Sequence, residues 1–468
     1  MALRRSRECQ TVPGQIQLSQ SLGTTIASGT PMVHRPLSRR GFLGRSAAVL
    51  AFPMISRLPV LGANNRLSIA GIGAGGKGGV DVGFCGSENI VALCDVDDVR
   101  AADTFNRFPN ARRFRDFRRM FDEMGKGIDA VTVSTPDHMH FLPSMWAIER
   151  GKGVYCQKPL THTVEEARRL TEAARKHGVA TQMGNQGRSH PDLRREVELV
   201  QAGVLGTVRE VHSWTDRAGR WWPQGVKSPA GTPPVPGTLD WDLWLGVAES
   251  RPYNPAYLPF NWRGFWDFGT GALGDMGCHL FNLPDMALGI RDATRVEASS
   301  EGQTDVSAPV KSTVRWEIPA AGNRPAFTLW WHDGGRLPSA DLFPGVQYAE
   351  NGLLFVGDKD TMLSNYNGGA RFKSGRPVSD FKEVPETLPK SADWERSHYV
   401  EWLDACKGGK PALSDFSLAG PMTEVVLLGN VAVRTGRALA WDRKALRIPK
   451  DREANRLLRQ KDRKGWTV

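Results

Sequence analysis

The chain has 468 residues, with 61 Lys and Arg against 50 Asp and Glu, a formal net charge of +11. Eight of the arginines and only one acid fall within residues 1–63, so the remainder carries 53 bases and 49 acids, too even a balance for the basic footprint of a nucleic-acid binder. The six cysteines (Cys9, Cys85, Cys94, Cys156, Cys278 and Cys406) show no CxxC or paired spacing, which excludes a zinc site or a disulfide framework of the usual kinds.

The first element is SRRGFLGRSAAVLAFP, residues 38–53. Its apolar run is about half the roughly 20 residues that a membrane span needs, and Arg57 and Pro59 follow it. A charged segment, a short apolar segment and a small-residue site around Leu61-Gly62-Ala63 read as an export signal. The Arg39-Arg40 pair followed by Phe42-Leu43 specifies the twin-arginine type. Residues 1–63 are therefore expected to address the protein, through the twin-arginine export machinery, to the periplasm or beyond. No stable membrane span is expected in the mature chain, which at about 400 residues is long enough for two domains.

After it comes RLSIAGIGAGGKGG, in which an apolar run meets Gly71, Gly73 and Gly76 in GxGxxG spacing. That spacing is weak evidence alone. Its context is a leading strand, a following helix and an acid about 20 residues on, and NIVALCDVD supplies Asp95 at the expected end of the second strand. The glycines let the backbone approach a pyrophosphate at a helix N-terminus. Asp95 favours NAD over NADP, while Lys77 and Arg100 leave NADP possible.

Alternation of strand and helix then continues. Phe117, Met120, Phe121 and Met124 mark one helical face, residues 128–133 read as a buried strand, and Thr163 with Glu166 has capping-box spacing before a helix. The expectation is a doubly wound parallel sheet over residues 64–187, whose ligand lies at the carboxyl ends of its strands. Two stretches fall at such ends, STPDHMH and YCQKPL. They supply the cofactor-facing candidates Thr135, Pro136, His140 and Gln157, with Asn185 of MGNQGR beyond them. Lys158, held between a strand and Pro159, is placed to polarise a substrate oxygen. His138 and His140 lack the further ligands of a metal site, and none is expected.

Beyond residue 187, VREVHSW, RVEASS, STVRWEI, FTLWWHD and GLLFVG alternate between Pro/Gly-rich connections, the pattern of a largely antiparallel sheet. Residues 188–468 are expected to form an α+β domain completed by helices near 394–407 and 421–437, with a charged tail packed down at the end. Within it, Asp275 and His279 are four apart and share a helical face, suited to an acid/base pair in which the acid orients the imidazole. Seven of the fifteen tryptophans lie between Trp214 and Trp266. Among them Trp266, with Arg263, is the candidate contact for a sugar, and Arg217 and Asp267 are further partners for hydroxyls.

In this order GIGAGGKG, CDVD, TPDHMH, the lysine-proline of CQKPL and MGNQGR resemble the Gfo/Idh/MocA oxidoreductase family. The resemblance implies an α/β Rossmann domain followed by an open-sheet α+β domain whose exposed face mediates homo-oligomerisation. It also implies hydride transfer between NAD(P) and a carbohydrate or polyol, with Lys158, His279 and Asp275 as catalytic residues. Two positions depart from the family pattern: Gln157 replaces the acid of a Glu-Lys-Pro motif, and Asn282 stands where many members have an acid. Export adds an expectation of its own. Free NAD is scarce outside the cytoplasm, so the cofactor is expected to be non-exchanging. That leaves two alternatives to a dehydrogenase: a redox-neutral, NAD-dependent glycosidase, and a catalytically silent dinucleotide- or sugar-binding protein.

Overall fold

The computed structural model describes residues 65–467, and the export segment expected over residues 1–63 lies outside the described residues. Strands β1 (Ser68–Ile72), β2 (Asn89–Cys94), β3 (Arg112–Phe114), β4 (Ala130–Val133), β5 (Gly153–Gln157) and β6 (Thr181–Gly184) form one sheet in the order β3-β2-β1-β4-β5-β6. Every pairing in it is parallel. Helices α1 (Lys77–Phe84), α2 (Asp98–Arg107), α3 (Phe117–Met124), α4 (Phe141–Glu149) and α5 (Val164–His177) provide the crossovers. β4, β5 and β6 are buried along their whole length, as strands covered on both faces must be. Thr163 and Glu166 form the reciprocal cap that opens α5.

After α6 (Pro191–Gln201) the chain builds a second sheet. Its strands are β7 (Val208–Thr215), β8 (Arg295–Glu301), β9 (Lys311–Ile318), β10 (Phe327–Asp333), β11 (Asn351–Gly357), β12 (Thr361–Ser364), β13 (Arg371–Phe372) and β14 (Leu439–Ala440). The order is β13-β12-β11-β7-β10-β9-β8-β14, antiparallel except for the parallel pair β7–β10. On β9 buried Ser312, Val314, Trp316 and Ile318 alternate with more open residues, the period-two pattern of a sheet with one packed face. Between β7 and β8 lie α7 (Trp241–Leu245), α8 (Gly271–Leu280) and α9 (Asn282–Leu288). The helical pattern around Pro284 breaks earlier than that proline suggests: α8 stops at Leu280, and Pro284 sits in the first turn of α9, where its missing N–H costs nothing.

Three late helices follow, α10 (Trp394–Cys406), α11 (Phe416–Thr435) and the short α12 (Arg452–Leu457). The second starts five residues before Pro421 because Asp415 caps it, accepting from Ser417 N. It is long and apolar enough to cross a membrane, yet 89% of that window is buried inside the fold, as a core helix is. α10 packs on the first sheet instead of the second: Tyr399, Trp402 and Leu403 cluster with Leu67, Ile69, Ala130 and Tyr155. Both sheets belong to one compact unit.

Candidate active site

The glycine-rich turn is shaped by close approach. Gly71 packs β1 against α1, where a Cβ would come within 2.6 Å of Val82. Gly73 has φ +78, and a Cβ there would meet the Ser134 carbonyl at 2.6 Å. Gly76, at φ +56, caps α1 beneath Arg100. Such a turn admits only glycine. Beside it Asp95 accepts hydrogen bonds from Ala74 N, Gly75 N and Asp97 N at 2.7, 2.8 and 2.9 Å. Burial pushes its carboxyl up, against these three donors, which pull it down.

A cleft of about 400 Å³ runs from this turn to the second domain, within the range of small-molecule sites. Gly73, Asp95, Thr135, Pro136, His140 and Gln157 line it on the first domain's side, and Lys158, Asp275, His279 and Arg263 at its far end. The glycine cradle at one end and the acid-base cluster at the other fit a dinucleotide, whose adenosine half Gly73, Gly75 and Asp95 would hold and whose reactive ring Gln157 would approach. His140 faces the cleft with little freedom, since its two ring nitrogens lie 2.7 and 2.8 Å from the Pro159 and Thr135 carbonyls.

Two candidates lie elsewhere. Asn185 is wholly buried behind the cleft, bonded to Asn282 and, through its Oδ1, to the Ser414 hydroxyl. It ties the end of β6 to α9 and to the turn before α11, and Asn282 is part of the same seam. Trp266 is turned into the core, under Arg434. Its neighbours Trp221, Trp244 and Trp262 line the cleft instead. Most of the tryptophan-rich stretch is structural, because Trp241, Trp244 and Trp262 share a small core with Tyr257, Phe265 and Phe268.

At the reacting end the expected Asp275–His279 pair does not form. Asp275 is bonded by Lys158 Nζ, which also donates to the Asp275 carbonyl at 3.1 Å. Arg217 and Arg263 complete the shell at 3.1 and 3.3 Å. Burial opposes the carboxylate, but the three cations outweigh it and hold the group well below the usual carboxylate range. The Lys158–Pro159 peptide that presents the lysine is cis. His279 stands one helical turn further on. Burial and then the Lys158 charge lower its pKa to about 3, against a smaller upward pull from Asp275. The ring is thus neutral at pH 7, with Nδ1 buried and unpartnered among the described residues.

Gln157 has a partner that no local sequence pattern marks. Asp81 on α1 is wholly buried and accepts from Gln157 Nε2 (2.9 Å), Ser134 Oγ (2.7 Å) and Tyr399 OH (2.6 Å), with Lys77 Nζ at 3.1 Å. An acid at position 157 would face this carboxylate at hydrogen-bond distance, whereas an amide can donate to it. The local negative charge resides on α1 rather than β5. Asp81 was not legible beforehand, since a lone acid in a glycine-rich helix has no distinctive spacing and one partner, Tyr399, is more than 300 residues away.

A doubly wound sheet that ends in a glycine turn and a lysine, joined across a cleft to an open-sheet domain whose helix α8 brings a carboxylate and an imidazole, defines a two-domain dinucleotide-binding architecture. Residues 66–185 match the model of the oxidoreductase family's NAD-binding Rossmann fold, and residues 192–317 that of its C-terminal alpha/beta domain. The chain is 32% identical over 275 residues to the D-glucoside 3-dehydrogenase of Escherichia coli, covering 58% of this chain and 68% of that protein. This protein belongs to the Gfo/Idh/MocA oxidoreductase family. It spans 45% of the rhizopine catabolism protein MocA of Rhizobium meliloti, at 29% identity over 31% of its own length. Among solved structures, the WlbA dehydrogenase from Chromobacterium violaceum, in complex with NADH and UDP-GlcNAcA, shares the fold. Its TM-score is 0.57 at 16% identity, covering 81% of this chain and 96% of that one.

Proposed function

We propose that this protein is an NAD-dependent dehydrogenase of a sugar or polyol, exported through the twin-arginine pathway with its cofactor bound. The observation that carries the reading is the meeting of Lys158, from the end of β5, and His279, from α8, at one end of the cleft that begins at the glycine turn. A bound nicotinamide dinucleotide supplies the hydride acceptor. His279, neutral at pH 7 and lining the cleft, takes the hydroxyl proton as the carbon gives up its hydride. Lys158 stabilises the negative charge that develops on the same oxygen, and its bond to Asp275 fixes where that charge sits. Asp95 and Asp97 at the adenosine end disfavour a ribose 2′-phosphate, which supports NAD over NADP.

Retention of the cofactor is supported by what covers the adenosine end. Asp98 N donates to Thr238 O at 3.0 Å and Asp240 N to Val96 O at 2.8 Å, so the segment before α7 is stitched to the loop after β2. Trp466 closes the same end, anchored by Arg463, whose Nε donates to Gly246 O at 2.9 Å. This enclosure also favours a second reading, a redox-neutral cycle in which the hydride returns after a glycosidic bond has been eliminated. Mass spectrometry of the undenatured protein tests retention, and an excess of sugar then separates the readings. Net absorbance at the reduced nicotinamide band supports the dehydrogenase, bond cleavage without it supports the cycle, and neither result leaves a silent binding protein. Export is tested by fusing residues 1–63 to a reporter and replacing Arg39 and Arg40 with lysine, which should hold the reporter in the cytoplasm. Self-association through the open face of the second sheet is part of the same reading, checked by light scattering.

A further inference from the structure

At the reacting end of the cleft three cations, Lys158, Arg217 and Arg263, face Asp275. The other acid there, Asp137, is buried and spends Oδ2 on the Thr270 hydroxyl. Counting both acids as ionised, this end of the cleft still holds one more cation than acid among the described residues. Uncompensated charge in a site largely shielded from water is costly, so its retention favours an anion that arrives from outside.

Both guanidiniums are built to receive one. Arg217 lies over Trp221 at 4.1 Å, and Arg263 is held between Phe260 and Trp262 at 4.1 and 4.2 Å. Aromatic faces fix their planes without using up N–H groups. Of the five donors each carries, Arg217 uses one on Asp275, and Arg263 uses one on Asp275 and one on the Phe260 carbonyl, among the described residues. Arg217 Nε is buried with no partner among the described residues. A neutral sugar hydroxyl would satisfy single donors and leave the charge. A carboxylate or a phosphoryl group matches the fork of a guanidinium with two parallel bonds and cancels the excess. Trp221, 51% exposed at the cleft, offers the apolar face on which the ring of such a sugar would lie.

We infer that the substrate is an anionic sugar, one whose ring bears a carboxylate or phosphoryl group seated between Arg217 and Arg263. This rests on the assignment of the cleft to sugar chemistry above. The test uses the full-length protein loaded with NAD and matched probes in the gluco, galacto and manno series: the free hexose, the corresponding uronate and the 6-phosphate, each titrated by calorimetry and assayed for nicotinamide reduction. In at least one series an anionic member should bind about tenfold or more tightly than its neutral counterpart. The preference should shrink as salt is raised from 50 to 500 mM, by the loss of screened attraction, a readout that needs no variant. Arg217→Gln should lower the ratio of anionic to neutral affinity about tenfold, and Arg217→Lys should restore part of that ratio. Selective uronate binding identifies a carboxylate, and selective 6-phosphate binding a phosphoryl group. Neutral hexoses binding as well as both anionic forms in all three series would overturn the inference. Selective anion binding without any nicotinamide reduction or bond cleavage would instead overturn the catalytic reading and leave this one standing.

Discussion

Lys158 and Asp275 are 117 residues apart in sequence and joined in space by an ion pair and a second bond from the same ammonium to the Asp275 carbonyl. Strand β5 ends at the cleft with the lysine, and α8 enters it with the carboxylate. The pair is mostly buried, with side-chain exposures of 13% and 7%. Removing one member of such a pair strands the other. Asp275→Asn should therefore cost about 3–5 kcal/mol of stability, because Arg217 and Arg263 lose their counter-charge as well. Urea denaturation at pH 7.5 measures it. A loss below about 1 kcal/mol would show that solvent already screens the cluster.

His279 sets a pH dependence. With its pKa near 3, kcat/KM should show no acid limb from this residue between pH 5 and 8. The Lys158 charge is one cause of the depression, so Lys158→Met should move the His279 titration upward, toward the ordinary value of about 6.5. Turnover in that variant should fall by roughly 10²-fold or more. The shift is read by NMR titration of the imidazole, and an unmoved titration would show that the Lys158 charge does not reach the ring.

Acid should destabilise the fold through histidines that the chemistry does not use. His138 and His398 are buried, and burial lowers both to about 3. The unfolded chain protonates them near 6.5, the folded one does not, so below that pH the unfolded state binds more protons. Stability is complete above about pH 6.5 and drains away as pH falls toward 3, by up to ~1.4 kcal/mol per pH unit for each group. Denaturation at pH 7.5, 6.5 and 5.5 should show the decline, and His398→Gln should flatten it. Equal stability at all three values would contradict the assignment.

Gln157 and Asp81 are expected to behave as a coupled pair. Gln157→Glu puts a second carboxylate beside the first, and one of them must then take up a proton or move. Dinucleotide affinity should drop by about tenfold or more at pH 8 and recover partly at pH 5.5. Asp81→Asn in the same chain should rescue it at both. Independent, additive effects of the two substitutions in a double-mutant cycle would rule out the coupling.

A chain ending after residue 461 loses Arg463 and Trp466, which cover the adenosine end of the cleft. NAD should then leave faster, by about tenfold or more, with little change in melting temperature before NAD is added. Stopped-flow displacement by a fluorescent analogue measures the rate. An unchanged rate would mean that the segment stitched to the loop after β2 retains the cofactor by itself.

What was legible in sequence was whatever local periodicity encodes. GxGxxG after an apolar run, Asp95 at the next strand's end, the Thr163–Glu166 cap and the two-residue alternation of β9 all express backbone geometry over a few residues, and all fold as their spacing implies. Lys158 and His279 were legible because each sits at a strand end or on a helix face that must meet the cleft. Which group each would bond was not legible. Helical spacing put Asp275 and His279 on one face, yet the carboxylate turned to three cations, two of them 58 and 117 residues away in sequence, since charge attraction in a buried site outweighs proximity along a helix. Only the tertiary structure could bring Asp81 to Gln157, send Trp266 and Asn185 into the core, and lay α10 against the first sheet. Those outcomes depend on which buried polar group finds its partner and which aromatic fills which gap, quantities defined by the packed chain and by no window of its sequence.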